Sequence, residues 1–254
     1  MTMNHSALQT LAKVPEITLI FWIIKIAATT LGETAGDAVS MSMNLGYLAG
    51  TFIFAAVFLV AVVTQIRAKN FHPYLYWTTI IATTTVGTTL ADFTTRSLGI
   101  GYSGGSSLLI LLLMISLMVW YRTLGTISVN SISSPKSEAF YWVTIMFSQT
   151  LGTALGDWTS DTAGFGYAGA AVIFSGLLAL VVAAYYWTNV SRTILFWIAF
   201  ILTRPLGAVV GDFLDKPISH GGLELSRYSA SIALMVFVLG CILVFKQKAA
   251  KVAH

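Results

Sequence analysis

Residues 22–40 read WIIKIAATTLGETAGDAVS, and the same frame returns without gaps as WTTIIATTTVGTTLADFTT over 77–95, WVTIMFSQTLGTALGDWTS over 142–160 and WIAFILTRPLGAVVGDFLD over 197–215. Trp22, Trp77, Trp142 and Trp197 open the copies, Gly32, Gly87, Gly152 and Gly207 follow ten residues later, and Asp37, Asp92, Asp157 and Asp212 close them. Self-similarity held at fixed spacing over four copies identifies a tandem repeat. The copies start 55, 65 and 55 residues apart, and the longer interval holds the polar stretch SVNSISSPK, Ser128 to Lys136, which suggests two halves of two units each.

Outward from each frame, the chain continues into a second apolar run. Eight such runs are read at Ile17–Gly36, Leu45–Ile66, Tyr74–Ala91, Gly105–Leu124, Ala139–Gly156, Tyr167–Thr188, Thr193–Gly211 and Tyr228–Phe245. Stretches of about 20 residues are long enough, as helices, to cross a hydrocarbon core of about 30 Å. Barrel strands would be about 10 residues long and would alternate apolar with polar, so helices are preferred. The 254 residues are 56% hydrophobic and 9% charged, against roughly 25% charged in soluble domains, and the mean hydropathy is +0.80. The expected fold is all-α and polytopic, with eight transmembrane helices in one membrane domain over residues 1–254. Its four parallel two-helix repeats, at about 16–68, 71–124, 137–189 and 192–246, are related by quasi-four-fold or two-fold symmetry about the membrane normal.

Charge sets the expected orientation. Lys13, Arg67, Lys69, Arg122, Lys136, Arg192, Lys246, Lys248 and Lys251 fall at the termini or between repeats, whereas Arg96, Lys216 and Arg227 fall within repeats. The positive-inside rule then places both termini in the cytoplasm of a bacterial inner-membrane protein. The net charge of +4 is explained by that asymmetry and not by nucleic-acid binding. The start MTMNHSALQTLAKVPE lacks the features of a cleaved leader, so the first helix is expected to stay. Cys241 is the single cysteine, which leaves neither a disulfide framework nor a thiolate metal site.

Residues four apart share one face of a helix. Counting back from each Asp gives Lys25, Thr29, Glu33, Asp37; Ile80, Thr84, Thr88, Asp92; Ile145, Gln149, Thr153, Asp157; and Phe200, Arg204, Ala208, Asp212. An ionised side chain at the membrane centre costs about 2.5–3.5 kcal/mol, so such groups face an interior and seek partners. The odd helices are therefore expected to line a polar path, with Thr29, Thr84, Thr88, Gln149 and Thr153 along it and Lys25 and Arg204 as charge partners of the acids. Small pairs such as Gly32 and Gly36, Gly152 and Gly156, and Gly207 and Gly211 permit close approach of these helices. The even helices, almost purely apolar, are left to face lipid.

The four segments resemble a bacterial membrane-protein family built of a tandem repeat of unknown function, four copies per chain, each with two transmembrane regions and a characteristic tryptophan. Members are labelled uncharacterised membrane-anchored proteins. The resemblance covers nearly the whole chain, and it implies an architecture and no activity.

Two readings of the aspartates stand side by side. Asp37, Asp92, Asp157 and Asp212 could converge as oxygen ligands for a hard divalent cation such as Mg²⁺, Ca²⁺ or Mn²⁺, or act with Glu33 as ion-binding or proton-relay groups. Alternatively, Gly-Asp ends each helix, Gly in a left-handed terminus and Asp in the turn. An Asp there opposes the helix dipole. Arg204 before Pro205 is either a structural pair or an anion-attracting guanidinium. His5, His72, His220 and His254 lie outside every span, which disfavours softer metals, although Met41 and Met43 keep Cu⁺ open. The tryptophans read as an interfacial belt, and Tyr47, Tyr102 and Tyr167 read as a belt or as a gate, the fourth copy having Gly222 in that place. Arg96, Asp161, Asp215 and Lys216 read as a weakly stabilising exposed rim.

No Walker A or HExxH motif is present, the GxSxG string at 101–105 has no partners, no soluble domain is there to hold a dinucleotide, and no nucleophile and base constellation is seen, so no enzyme is expected. The expected function is transport or channelling of a small ion, a hard cation or protons, across the lipid bilayer, with no cofactor apart from a bound divalent cation. The alternative is a non-transporting assembly or sensory protein whose buried charges only fix helix packing.

Overall fold

Helix order follows the repeats. In the computed structural model, which describes residues 12–250, α1 (Leu19–Asp37), α3 (Pro73–Asp92), α5 (Pro135–Asp157) and α7 (Arg192–Asp215) alternate with α2 (Gly46–Arg67), α4 (Gly101–Leu124), α6 (Gly166–Trp187) and α8 (Arg227–Val244). His5, Lys251 and His254 lie outside the described residues. Pro73 and Pro135 open α3 and α5, at positions where a missing N–H costs no helical bond. α7 stays helical through Pro205.

The Gly-Asp pairs do not stop their helices, which corrects the terminator reading. Backbone at Gly36 and Gly156 is helical, and the chain runs on past Asp37, Asp92 and Asp157 into one π-helical turn each, Ala38–Ser42, Phe93–Ser97 and Trp158–Thr162. The same wide bond closes all three, from the amides of Met43, Leu98 and Ala163 to the carbonyls of Ala38 (2.9 Å), Phe93 (3.0 Å) and Trp158 (2.8 Å). The left-handed positions come later, at Asn44 and Gly46, Gly99 and Gly101, and Gly164 and Gly166, with φ between 54° and 77°. They reverse the chain into the even helix.

The fourth copy differs from the expected register. α7 runs without a π turn to Asp215, and α8 begins at Arg227, fifteen residues after Asp212, where Tyr47, Tyr102 and Tyr167 stand ten after their Asp. Three residues further, Gly50, Gly105, Ala170 and Ala230 are all buried, so Arg227 and not Gly222 takes the tyrosine's place. Gly222 instead lies against the Lys216 carbonyl, where a side chain would collide with backbone.

α1, α3, α5 and α7 form a closed ring, each packed on the next and α7 on α1. The even helices do not pack chiefly on their own partners. α2 lies against α3, α4 against α5 and α6 against α7, and α8 closes the circuit on α1. Hydroxyl pairs join two of these seams, Ser116 to Thr144 at 2.7 Å and Thr34 to Ser231 at 2.8 Å.

Glycine makes the ring possible. A Cβ on Gly32 would run into Thr84, on Gly87 into Gln149, on Gly152 into Arg204 and on Gly207 into Thr29. In each case the neighbour stands three residues before the next repeat's own glycine. The same cyclic step repeats one turn on, where Gly36 meets Thr88, Gly156 meets Ala208 and Gly211 meets Glu33.

Among the described residues, six helices are long and apolar enough to cross a membrane, counting the π turn with α1. α3 and α5 fall short because their threonines, serines and Gln149 make them polar, yet they sit inside the ring with that surface buried. Exposed residues such as Phe52, Leu59, Leu111, Val172, Leu180 and Ile232 cover the even helices, the side expected to meet lipid. The segments before α1 and after α8 meet on one face, Ala12 N–H bonding the Ala250 carbonyl at 3.0 Å and Lys13 N–H the Ile132 carbonyl at 2.9 Å. The polar stretch between the halves, with Val129 and Ile132 buried, is thus part of a cap.

A side chain at Gly87 would lie 3.0 Å from the Gln149 backbone, whereas one at Gly176 on α6 meets nothing within 4 Å. In thermal unfolding of detergent-purified protein, Gly87→Leu is expected to cost about 1–3 kcal/mol or more, as overpacking does. Gly176→Leu is expected to stay within about 0.5 kcal/mol.

Candidate functional site

The ring stacks the sequence stripe into levels about one helical turn, roughly 6 Å, apart. Lys25, Ile80, Ile145 and Phe200 form the level nearest the chain ends, followed by Thr29, Thr84, Gln149 and Arg204, then Glu33, Thr88, Thr153 and Ala208, then the four aspartates. All sixteen are at most 2% exposed. Every residue expected on the polar path is therefore inside.

Arg204 occupies the centre. Its Nη2 lies within hydrogen-bonding distance of Glu33 Oε2 (2.9 Å), Thr88 Oγ1 (2.6 Å), Thr153 Oγ1 (2.5 Å) and the Thr84 carbonyl (3.4 Å), which share its two protons, so one group from α7 reaches α1, α3 and α5. Thr88 Oγ1 also lies 3.2 Å from Glu33 Oε2. The acid's partner is thus Arg204 and not Lys25. Lys25 Nζ is left with Thr203 Oγ1 at 3.4 Å and the Phe200 ring at 4.1 Å, and it forms no ion pair among the described residues. Gln149 Nε2 and Oε1, Thr84 Oγ1, and Arg204 Nε and Nη1 are buried without a partner.

The aspartates lie at one level but divide into two pairs, each bridged by a cation four residues past an Asp. Arg96 joins Asp92 (2.9 Å) to Asp157 (3.4 Å), and Lys216 joins Asp212 (3.1 Å) to Asp37. Arg227 joins this second group at 3.2 Å from Asp215 and 3.9 Å from Asp37. The rim cations are therefore not exposed ornaments, since they point inward to neutralise the repeat aspartates, and Lys216 is itself buried. Among the described residues, the carboxylates that form a group of three within metal-ligand range of one another are Asp37, Asp212 and Asp215. Asp92 and Asp157 stand outside that group, and the Lys216 ammonium already sits against it.

Above the aspartates lies a vestibule of about 390 Å³ lined by Met41, Arg96, Asp161, Tyr167, Lys216 and His220. Tyr167 is 8% exposed on its wall, and the Arg96 guanidinium lies 5.9 Å from the Tyr102 ring. These tyrosines belong to the mouth. His72 precedes α3 at the opposite end, without a side-chain bond to the helix.

The tryptophans correct another expectation. Trp77, Trp142 and Trp197 are 1%, 2% and 4% exposed, which a lipid-facing belt does not allow, whereas Trp22 is only partly buried. Each stands three residues before the level of Lys25, close to the same inward face. The residue before each repeat tryptophan is aromatic and packs, tilted or edge-on, against the next repeat's tryptophan: Phe21 on Trp77 (5.5 Å between centroids), Tyr76 on Trp142 (5.8 Å), Tyr141 on Trp197 (6.3 Å) and Phe196 on Trp22 (5.8 Å). Tyr76 and Tyr141 share a hydroxyl bond of 2.6 Å. This aromatic ring seals the axis under the terminal cap, where Lys13 pairs with Glu138 at 2.5 Å. The sequence signal for it, Phe or Tyr before Trp in all four copies, was there to be read.

The fold and the site together define an all-α polytopic membrane protein of four parallel helix-pair repeats around a charged axis. The chain belongs to the family described as Repeat of Unknown Function (DUF347), which matches residues 20–71, 75–126, 140–191 and 195–248. Neither a curated protein nor a solved structure matches it.

Removing one partner of a buried ion pair leaves the other uncompensated, at a cost of about 3–5 kcal/mol. Arg204→Met is expected to destabilise by that order in detergent unfolding assays. The double variant Arg204→Met with Glu33→Gln is expected to recover most of the loss, and equal loss in both would show that the pair carries none of it.

Proposed function

We propose that the chain is a transporter or channel for a small ion in the bacterial cytoplasmic membrane, with both termini on the cytoplasmic side and no enzymatic role. What carries the reading is the unbroken line of buried charge from the vestibule through the aspartates to Glu33, Arg204 and Lys25. Side chains of this kind are expensive in a membrane and mark ion paths.

Of the two ion classes, protons fit better than a hard cation. The Lys216 ammonium lies against the Asp37, Asp212 and Asp215 carboxylates, so a divalent ion would have to displace a fixed charge. Around the aspartates and the vestibule, six carboxylates (Asp37, Asp92, Asp157, Asp161, Asp212, Asp215) face three cationic groups (Arg96, Lys216, Arg227), while Glu33 and Arg204 pair with each other. The surplus of negative charge among these closely spaced carboxylates is relieved by protons, which neighbouring acids can pass on. The paired Arg204 across the axis supports the second reading, in which the charges only fix helix packing.

Flux separates the two. Protein reconstituted in liposomes with an internal pH dye is expected to move protons under an imposed potential, and Asp157→Asn is expected to abolish that flux without lowering yield. Folded protein that moves neither protons nor Mg²⁺ or Mn²⁺ would leave the packing reading in its place.

A further inference from the structure

Beyond proton handling, the levels next to Arg204 carry a chemistry that the aspartates do not. We infer that Lys25, Gln149 and Arg204 form a buried site for one small monovalent inorganic anion of halide or nitrate size.

Local charge points that way. Lys25 and Arg204 are both 0% exposed, and the carboxylate at these levels, Glu33, is already bonded to Arg204 Nη2. One positive charge is left over. Its bearer, Lys25, shares its level with Ile80, Ile145 and Phe200, which offer no counter-charge.

Hydrogen bonding points the same way. Arg204 Nε and Nη1 and Gln149 Nε2 are buried donors without acceptors, outnumbering the unmet Gln149 Oε1 and Thr84 Oγ1 beside them, and the Lys25 ammonium has three protons for one long contact to Thr203. Buried polar groups are almost always satisfied, so a cluster of unmet donors implies an acceptor. Gln149 and Arg204 stand one turn from Lys25 on the same inward stripe. Water would accept from these donors but would leave the charge uncompensated, whereas an anion meets both needs. A cation is refused by the same two positive groups.

The test is equilibrium dialysis of the purified, monodisperse full chain against ³⁶Cl⁻, with gluconate keeping ionic strength constant. Saturable uptake approaching one chloride per chain is expected, with bromide and nitrate competing. Lys25→Met, which removes a buried charge and leaves no other unpaired, is expected to weaken binding by at least about 30-fold. Gln149→Leu, which keeps every charge, is expected to weaken it about 2- to 10-fold. No saturable uptake by folded wild-type protein would overturn the site, as a water-filled axis or a neutral Lys25 amine would give that result. Uptake unchanged in both variants would overturn it too. Neither outcome bears on the proton flux assigned to Asp157.

Discussion

The contact on which everything else rests is a backbone laid bare at Gly32, Gly87, Gly152 and Gly207, against which the next helix presses a side chain three residues before its own glycine. Without a Cβ in the way, the odd helices approach closely enough for four of them to close. Small residues at such seams are the usual means of tight association in lipid, where apolar surfaces gain little by meeting each other. Closure has two consequences. It turns one stripe of every odd helix toward a common axis, and it leaves each even helix to cover the seam with the next repeat, α8 covering α1.

The backbone is close to four-fold, but the chemistry on it is not. Arg96 and Lys216 stand four residues past Asp in the second and fourth repeats, where the first and third have Met41 and Asp161. Each cation bridges its own Asp to that of the following repeat, so the aspartate level is two-fold. Deeper in, even that symmetry is lost, because Lys25, Glu33 and Arg204 each occur once on the axis. Repetition of the Asp therefore serves the ring, and departure from repetition concentrates charge along it. The vestibule at one end and the aromatic ring at the other give the axis one open side and one sealed side.

Much of this was legible in the residues. Spacing alone placed Asp37 and its counterparts at one level and put Lys25, Thr84, Gln149 and Arg204 inside, because i to i+4 periodicity is a local property of any helix. The terminator reading of Gly-Asp failed because a π turn keeps the chain helical, and its wide bond leaves no residue signature in Ala38–Ser42 or Phe93–Ser97. The tryptophan belt failed for a different reason. Trp near a helix end is usually interfacial, but here a terminal cap lies over it and the stripe turns it inward. Which acid meets which base was not legible, since α7 brings Arg204 to Glu33 on α1 only because the ring closes, and only the order of helices around the axis decides that. The fourth turn was misaligned because its insertion hides Arg227 behind Gly222.

All of these features need the ring to close within a single chain. Thr34 and Ser231, at the seam of α1 and α8, have their hydroxyl oxygens 2.8 Å apart, a separation within reach of a disulfide between cysteines. With Cys241 replaced by Ala, and Thr34 and Ser231 both replaced by Cys, the membrane-embedded protein can be oxidised and then cut by a protease whose site is placed near residue 126. The account predicts that the two halves of one chain stay joined until reductant is added. Halves that separate without reductant, or links that form only between two chains, would contradict it.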